Sequence, residues 1–86
     1  MSSRPPVTLQ EDWSTLLRPW LDSVSARLDV EEVDLDVDRV HRMTGVVADG
    51  VQRSMAPISA FLVGAAVARG ASLEEACAAV ESLTTG

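Results

Sequence analysis

Apolar residues fall at three- and four-residue spacings in three stretches of the chain, and a fourth stretch is apolar on nearly every side. Trp13, Leu16, Leu17, Trp20, Leu21, Val24 and Leu28 form one stripe at helical spacing, and Thr8 followed by Glu11 has the order of a capping box, so the pattern predicts a first helix over 9–28. Pro19 lies inside it and off the stripe. Its missing N–H predicts a kink that bends the apolar face around the core. Val37, Val40, Met43, Thr44, Val47 and Val51 predict a second helix over 37–54, and Met43, Val46 and Gly50 widen its apolar arc enough for contact from two sides. From Met55 to Gly70 the alternation stops. Pro57 suits a first turn, and the pattern predicts a third helix over 57–69 that has to be surrounded because it has no polar face. Ala60, Gly64 and Ala68 place small side chains on one line of that helix, where a neighbour can approach closely. Ser72 and Glu75 repeat the capping-box order, and Leu73, Ala76, Cys77, Val80 and Leu83 predict a fourth helix over 73–83, with Leu83 in its last packed turn.

These elements predict an all-α fold: a compact four-helix bundle-like domain with a buried central helix, spanning 8–86 as a single domain after an N-terminal tail at 1–7. Asp22, Asp29, Glu31, Glu32, Asp34, Asp36 and Asp38 make the region before the second helix acidic. Val33, Leu35 and Val37 alternate with acids there as in a strand, but no second stretch offers a partner, so the segment reads as an extended connection. Asp36 is its candidate helix cap, and Asp38 falls in the first turn, where the helix dipole favours negative charge. Gly45 and Gly50 each cost a helix interior about 1 kcal/mol relative to alanine, which points to tight packing or local bending around them.

Composition narrows the functional classes. The chain has 86 residues, a formal net charge of -6 and only 3% aromatic residues. That charge excludes nucleic acid and anionic membrane surfaces, which are held by basic patches. Arg69 interrupts the apolar run far short of a membrane span. With one cysteine and no secretory signal core, the expected location is cytoplasmic. A core this small gains from burial between copies, and together with the wide arc of the second helix and the two tryptophans of the first it favours a homodimer.

No catalytic constellation is visible, and the chain is read as not an enzyme. Asp34, Asp36 and Asp38 begin like a calcium loop, but Arg39 stands where that loop needs glycine and Gly45 where it needs glutamate. His41 and Cys77 alone do not make a transition-metal set. Cys77, in an apolar stripe, reads as a small buried hydrophobe, and no cofactor is expected. An acyl-carrier role requires a serine opening the second helix, and Asp36-Val37-Asp38 has none. The remaining candidate contacts are a basic edge of Arg39, His41 and Arg42, with Arg53 at the break between the second and third helices, and the polar residues Asp49 and Ser59. Arg53 stands beside a helix N-terminus whose free N–H groups could help hold an anion, or it caps the carbonyls of the second helix.

Val46-Val47-Ala48-Asp49-Gly50-Val51-Gln52-Arg53 followed by Ala56-Pro57-Ile58-Ser59-Ala60-Phe61-Leu62-Val63-Gly64 resembles a family of small helical actinobacterial proteins and domains found beside or fused to molybdenum cofactor guanylyltransferases. Asp49 stands where that family commonly has histidine, and Ser54-Met55 replaces its usual proline-alanine. The resemblance implies a setting in maturation of enzymes carrying molybdopterin guanine dinucleotide, with the guanylyltransferase or a molybdoenzyme as partner. It implies no particular activity. The functional expectation is a non-catalytic accessory or protein-interaction domain, and the alternative is a module that binds a small anionic ligand such as a pterin or a nucleotide phosphate.

Overall fold

The computed structural model describes residues 6–85, so most of the expected tail at 1–7 lies outside the described residues. The fold is all-α. A 3-10 turn at Val7–Leu9 and a π-helical turn at Trp13–Leu17 lead into α1 at Arg18–Arg27, followed by α2 at Val37–Gly50, α3 at Met55–Ala68 and α4 at Leu73–Thr85. The chain divides into two compact units, the first ending at Val37 and the second beginning at Asp38.

In the first unit the entry to α1 differs from the kinked helix that Pro19 suggests. The amides of Leu16 and Leu17 both donate to the carbonyl of Asp12, at 2.9 and 3.0 Å, which widens the turn by one residue. Proline cannot donate, and its ring crowds the carbonyl four residues back. Here that carbonyl belongs to the widened turn, and Pro19 sits in the first turn of α1, where no partner is needed. Thr8 does not open a long helix: it lies inside the short 3-10 turn Val7–Leu9, the π-helical turn begins at Trp13, and α1 begins at Arg18. The extra residue also rephases the stripe. Trp13, Leu17, Leu21 and Val24 are half-buried, whereas Leu16, Trp20 and Leu28 are exposed.

The exit from α1 follows from hydrogen-bond geometry. Val30 N–H donates to Ser25 O at 2.9 Å and Asp29 N–H to Ala26 O at 3.1 Å, with Asp29 in the left-handed region at φ 59. This pair of bonds is a Schellman cap, and aspartate is among the few residues besides glycine that tolerate the conformation. The same cap ends α3, where Ala71 N–H bonds Ala66 O and Gly70 N–H bonds Val67 O, both at 3.0 Å, with Gly70 at φ +107. α2 starts at Val37, directly after Asp36, as the acidic connection suggests, and Asp38 occupies its first turn.

In the second unit Met43, Val47, Val63 and Cys77 are the buried hydrophobic residues, with Val67, Leu73, Ala76 and Val80 packed around them. α2, α3 and α4 thus each supply one face to a shared core. α3 is not enclosed. Among its residues only Val63 is buried, and Ile58, Phe61 and Leu62 are exposed on its other side. An apolar composition sets the free-energy penalty of leaving that face in water, but within this unit only α2 and α4 are available to cover it. Leu83 is also exposed, against the expectation of a packed last turn. There Thr84 turns toward α2, and Gly50 makes room for it, since a Cβ on Gly50 would stand 2.6 Å from Thr84 Cγ2. Val51 is exposed because it lies beyond the end of α2, which stops at Gly50. Tight packing does not account for Gly45, which has nothing within 4 Å of an added Cβ.

Candidate functional site

Arg39, Met43 and Val47 follow one another at four-residue spacing on α2, and all three are buried. This places a guanidinium at the end of an apolar line facing α4. On α4 the residues Glu74, Cys77 and Glu81 share one face, because they are three and four positions apart. Arg39 meets both acids. Its Nε donates to Glu74 Oε1 at 2.7 Å and its Nη2 to Glu74 Oε2 at 3.3 Å, while Nη1 and Nη2 donate to the two carboxylate oxygens of Glu81, both at 2.8 Å. Two forked contacts on one planar cation fix its orientation as lysine could not. Arg39 is 6% exposed, Glu81 23% and Glu74 69%, so one carboxylate closes the inner side of the clamp and the other the solvent side.

The electrostatics follow from this packing. Hydrogen bonds to Glu81 and then Glu74 raise the Arg39 pKa against the opposing effect of burial, so the cation stays charged. The bond from Arg39 holds each carboxyl below the usual glutamate range, and the nearby positive charge of Arg42 adds to this. Burial pushes the Cys77 thiol up, which fits its reading as a packing group rather than a nucleophile.

The structure does not gather the sequence candidates into one place. Arg39 is committed to α4 and does not present a free basic edge. His41 and Arg42 are exposed on α2, and the His41 carbonyl accepts a hydrogen bond from Thr44 Oγ1 at 2.8 Å. Asp49 is exposed in the last turn of α2, and Arg53 is exposed in the connection to α3. Ser59 is half-buried. Its hydroxyl donates to Ala56 O at 2.7 Å and lies 3.5 Å from Met43 Sδ, so it serves the packing of α3 on α2. Among the described residues no group of three or more His, Cys, Asp or Glu could hold a metal ion. No helix of the described residues is long and apolar enough to cross a membrane.

Two surface features remain. Within the first unit, Trp13 and Leu21 together with Val33 and Leu35 of the acidic connection line an open groove of about 650 Å³, with Arg18 and Glu31 at its polar walls. In the second unit, the outer face of α3 carries Ile58, Phe61 and Leu62 at 52%, 76% and 60% exposure, and none of the 14 residues of α3 is charged. Single exposed apolar residues are ordinary, but a contiguous patch on one helix face is what contact surfaces look like. The sequence signal for this feature was the unbroken apolar run itself, read as enclosure because a helix without a polar face is normally surrounded.

The described residues define an all-α fold with an ion-pair clamp between α2 and α4 and an exposed apolar face on α3. The chain belongs to the family described as a domain of unknown function, DUF6457, which matches residues 12–86. No curated protein and no solved structure matches the chain.

Proposed function

We propose that this domain is a non-catalytic protein-interaction module whose contact surface is the outer face of α3. The observation that carries the reading is Phe61, a large ring 76% exposed on a helix face that bears no charge. Aromatic anchors surrounded by smaller apolar residues supply most of the binding energy at protein interfaces. The module acts in the cytoplasm and self-associates. Its accessory role is linked to maturation of enzymes that carry molybdopterin guanine dinucleotide, with the guanylyltransferase or a molybdoenzyme as the larger partner; this link rests on the sequence resemblance alone. The alternative of a small-anion binder is weakened because Arg39, the first cation of the basic edge, is already held by Glu74 and Glu81.

A tagged pull-down from the native host, run in parallel with the wild-type chain and Phe61→Glu, tests the reading. Recovery of a molybdenum cofactor enzyme with the wild type, and its loss with F61E, supports the accessory role. Equal recovery with both chains removes α3 from it.

A further inference from the structure

Independently of the reading of α3, we propose that the open groove of the first unit docks a basic segment of a partner protein, with an apolar side chain in the groove and lysine or arginine on either side of it. The alternation of Val33, Leu35 and Val37 with acids finds its use here. All three line the groove together with Trp13 and Leu21, whereas Asp34, between them, is exposed. Val33 and Leu35 are 47% and 46% exposed, so much of their apolar surface faces water. The space of about 650 Å³ is several times the roughly 150 Å³ that encloses a benzene ring, enough for an anchor side chain and its neighbours.

Charge decides among the occupants. Residues 1–37 hold eight acidic residues against three arginines, and residues 38–86 five against four, so the first unit carries -5 of the net -6. Asp22 and Glu31 stand in the groove wall, and Glu32 and Asp34 flank it along the chain. Among the described residues none of these four carboxylates takes part in an ion pair, whereas Glu74 and Glu81 of the second unit are both held by Arg39. Arg18 also lines the groove, but Asp22 and Glu31 outnumber it in the wall. Uncompensated acids beside an apolar cleft attract a cationic partner, speed its encounter and fix its register. A second copy would bring like charge against like charge, as would nucleic acid or an anionic membrane. A polyamine would answer the carboxylates and leave the apolar walls in water. A basic protein segment with an apolar anchor answers both.

An NMR titration of the isotope-labelled full chain tests this, with synthetic peptides as probes: an amphipathic leucine–lysine peptide, its leucine–glutamate counterpart and a peptide of lysine alone. The leucine–lysine peptide is expected to bind saturably, with the largest shifts at the Trp13 indole N–H, Val33 and Leu35, and about tenfold more weakly at high salt than at low. Leu35→Ser removes part of the apolar wall, and Glu31→Gln combined with Asp34→Asn removes charge. Each should weaken binding by about fivefold or more and leave the rest of the spectrum in place, because all three residues are exposed. F61E should bind the peptide as the wild type does. Equal binding of the lysine peptide overturns the groove and leaves only an acidic surface. No saturable binding of the leucine–lysine peptide, or equal binding of the glutamate peptide, overturns the proposal. So do shifts centred on α3 or lost with F61E. The pull-down with F61E tests the α3 reading separately, so either surface can fail without the other.

Discussion

Where α2 meets α4, a guanidinium is 6% exposed, and on the outer side of α3 a phenylalanine ring is 76% exposed. Residue type alone would assign these two positions the other way round. The difference shows that burial depends on what stands opposite. Arg39 is buried because Glu74 and Glu81 are in place to accept its hydrogen bonds, which offset the loss of hydration. Phe61 is exposed because the second unit has three helices, and α3 uses its inward face, through Val63, on the other two. The clamp side is therefore complete within the second unit, while the open side has no cover from the helices of that unit.

If that contrast is right, substitutions on the closed side should cost stability and those on the open side should not. The largest effect is expected from Arg39→Ala. It leaves two carboxylates facing each other and removes the packed stem, and should lower unfolding free energy by about 3 kcal/mol in chemical denaturation. Arg39→Lys should recover only part of this, because a point charge cannot fork to both acids. A loss below about 0.5 kcal/mol for R39A would mean that the clamp is incidental to the fold.

A smaller effect should appear with pH. Both clamp carboxyls are held below the ordinary glutamate value of about 4.3, so their contribution is fully present above that value. It is lost as pH falls through the lowered folded values. Thermal midpoints measured from pH 6 down to pH 3 should fall more steeply for the wild-type chain than for R39A. Parallel slopes would place the acid sensitivity elsewhere.

The smallest effects have opposite signs at two glycines of α2. Gly50→Ala presses a methyl group against Thr84, whose hydroxyl is bound to Val80 O at 2.7 Å, and should destabilise by about 1 kcal/mol. Gly45→Ala meets nothing within 4 Å and should stabilise by about 1 kcal/mol through helix propensity. Equal signs would show that the close approach of α2 and α4 at Gly50 does not hold in solution.

Much of the architecture was legible in the order of residues because it is local. The apolar spacings placed helices near their observed positions, and Asp36 marked the start of α2. Ser72 and Glu75 marked that of α4, where Ser72 Oγ accepts from Glu75 N–H at 3.0 Å and donates to Glu75 Oε1 at 3.1 Å. The same signal did not open a helix at Thr8 and Glu11, where a short 3-10 turn and a widened turn precede α1 at Arg18. Gly70 marked the end of α3 through its positive φ.

The clamp was half visible. Arg39 continues the four-residue line of Met43 and Val47, and Glu74 and Glu81 flank Cys77 on one face of α4, but nothing in either helix states that the two lines meet. Their meeting depends on residues more than thirty positions apart, and so on how three helices share one small core. For the same reason the sequence determined by itself that this chain is helical, where each helix is apolar, and that α3 cannot be content in water. Only the tertiary structure decided which apolar faces found a neighbour, since periodicity sets the direction a side chain takes from its own helix and packing sets what it meets there. Val63 met a core and Phe61 did not.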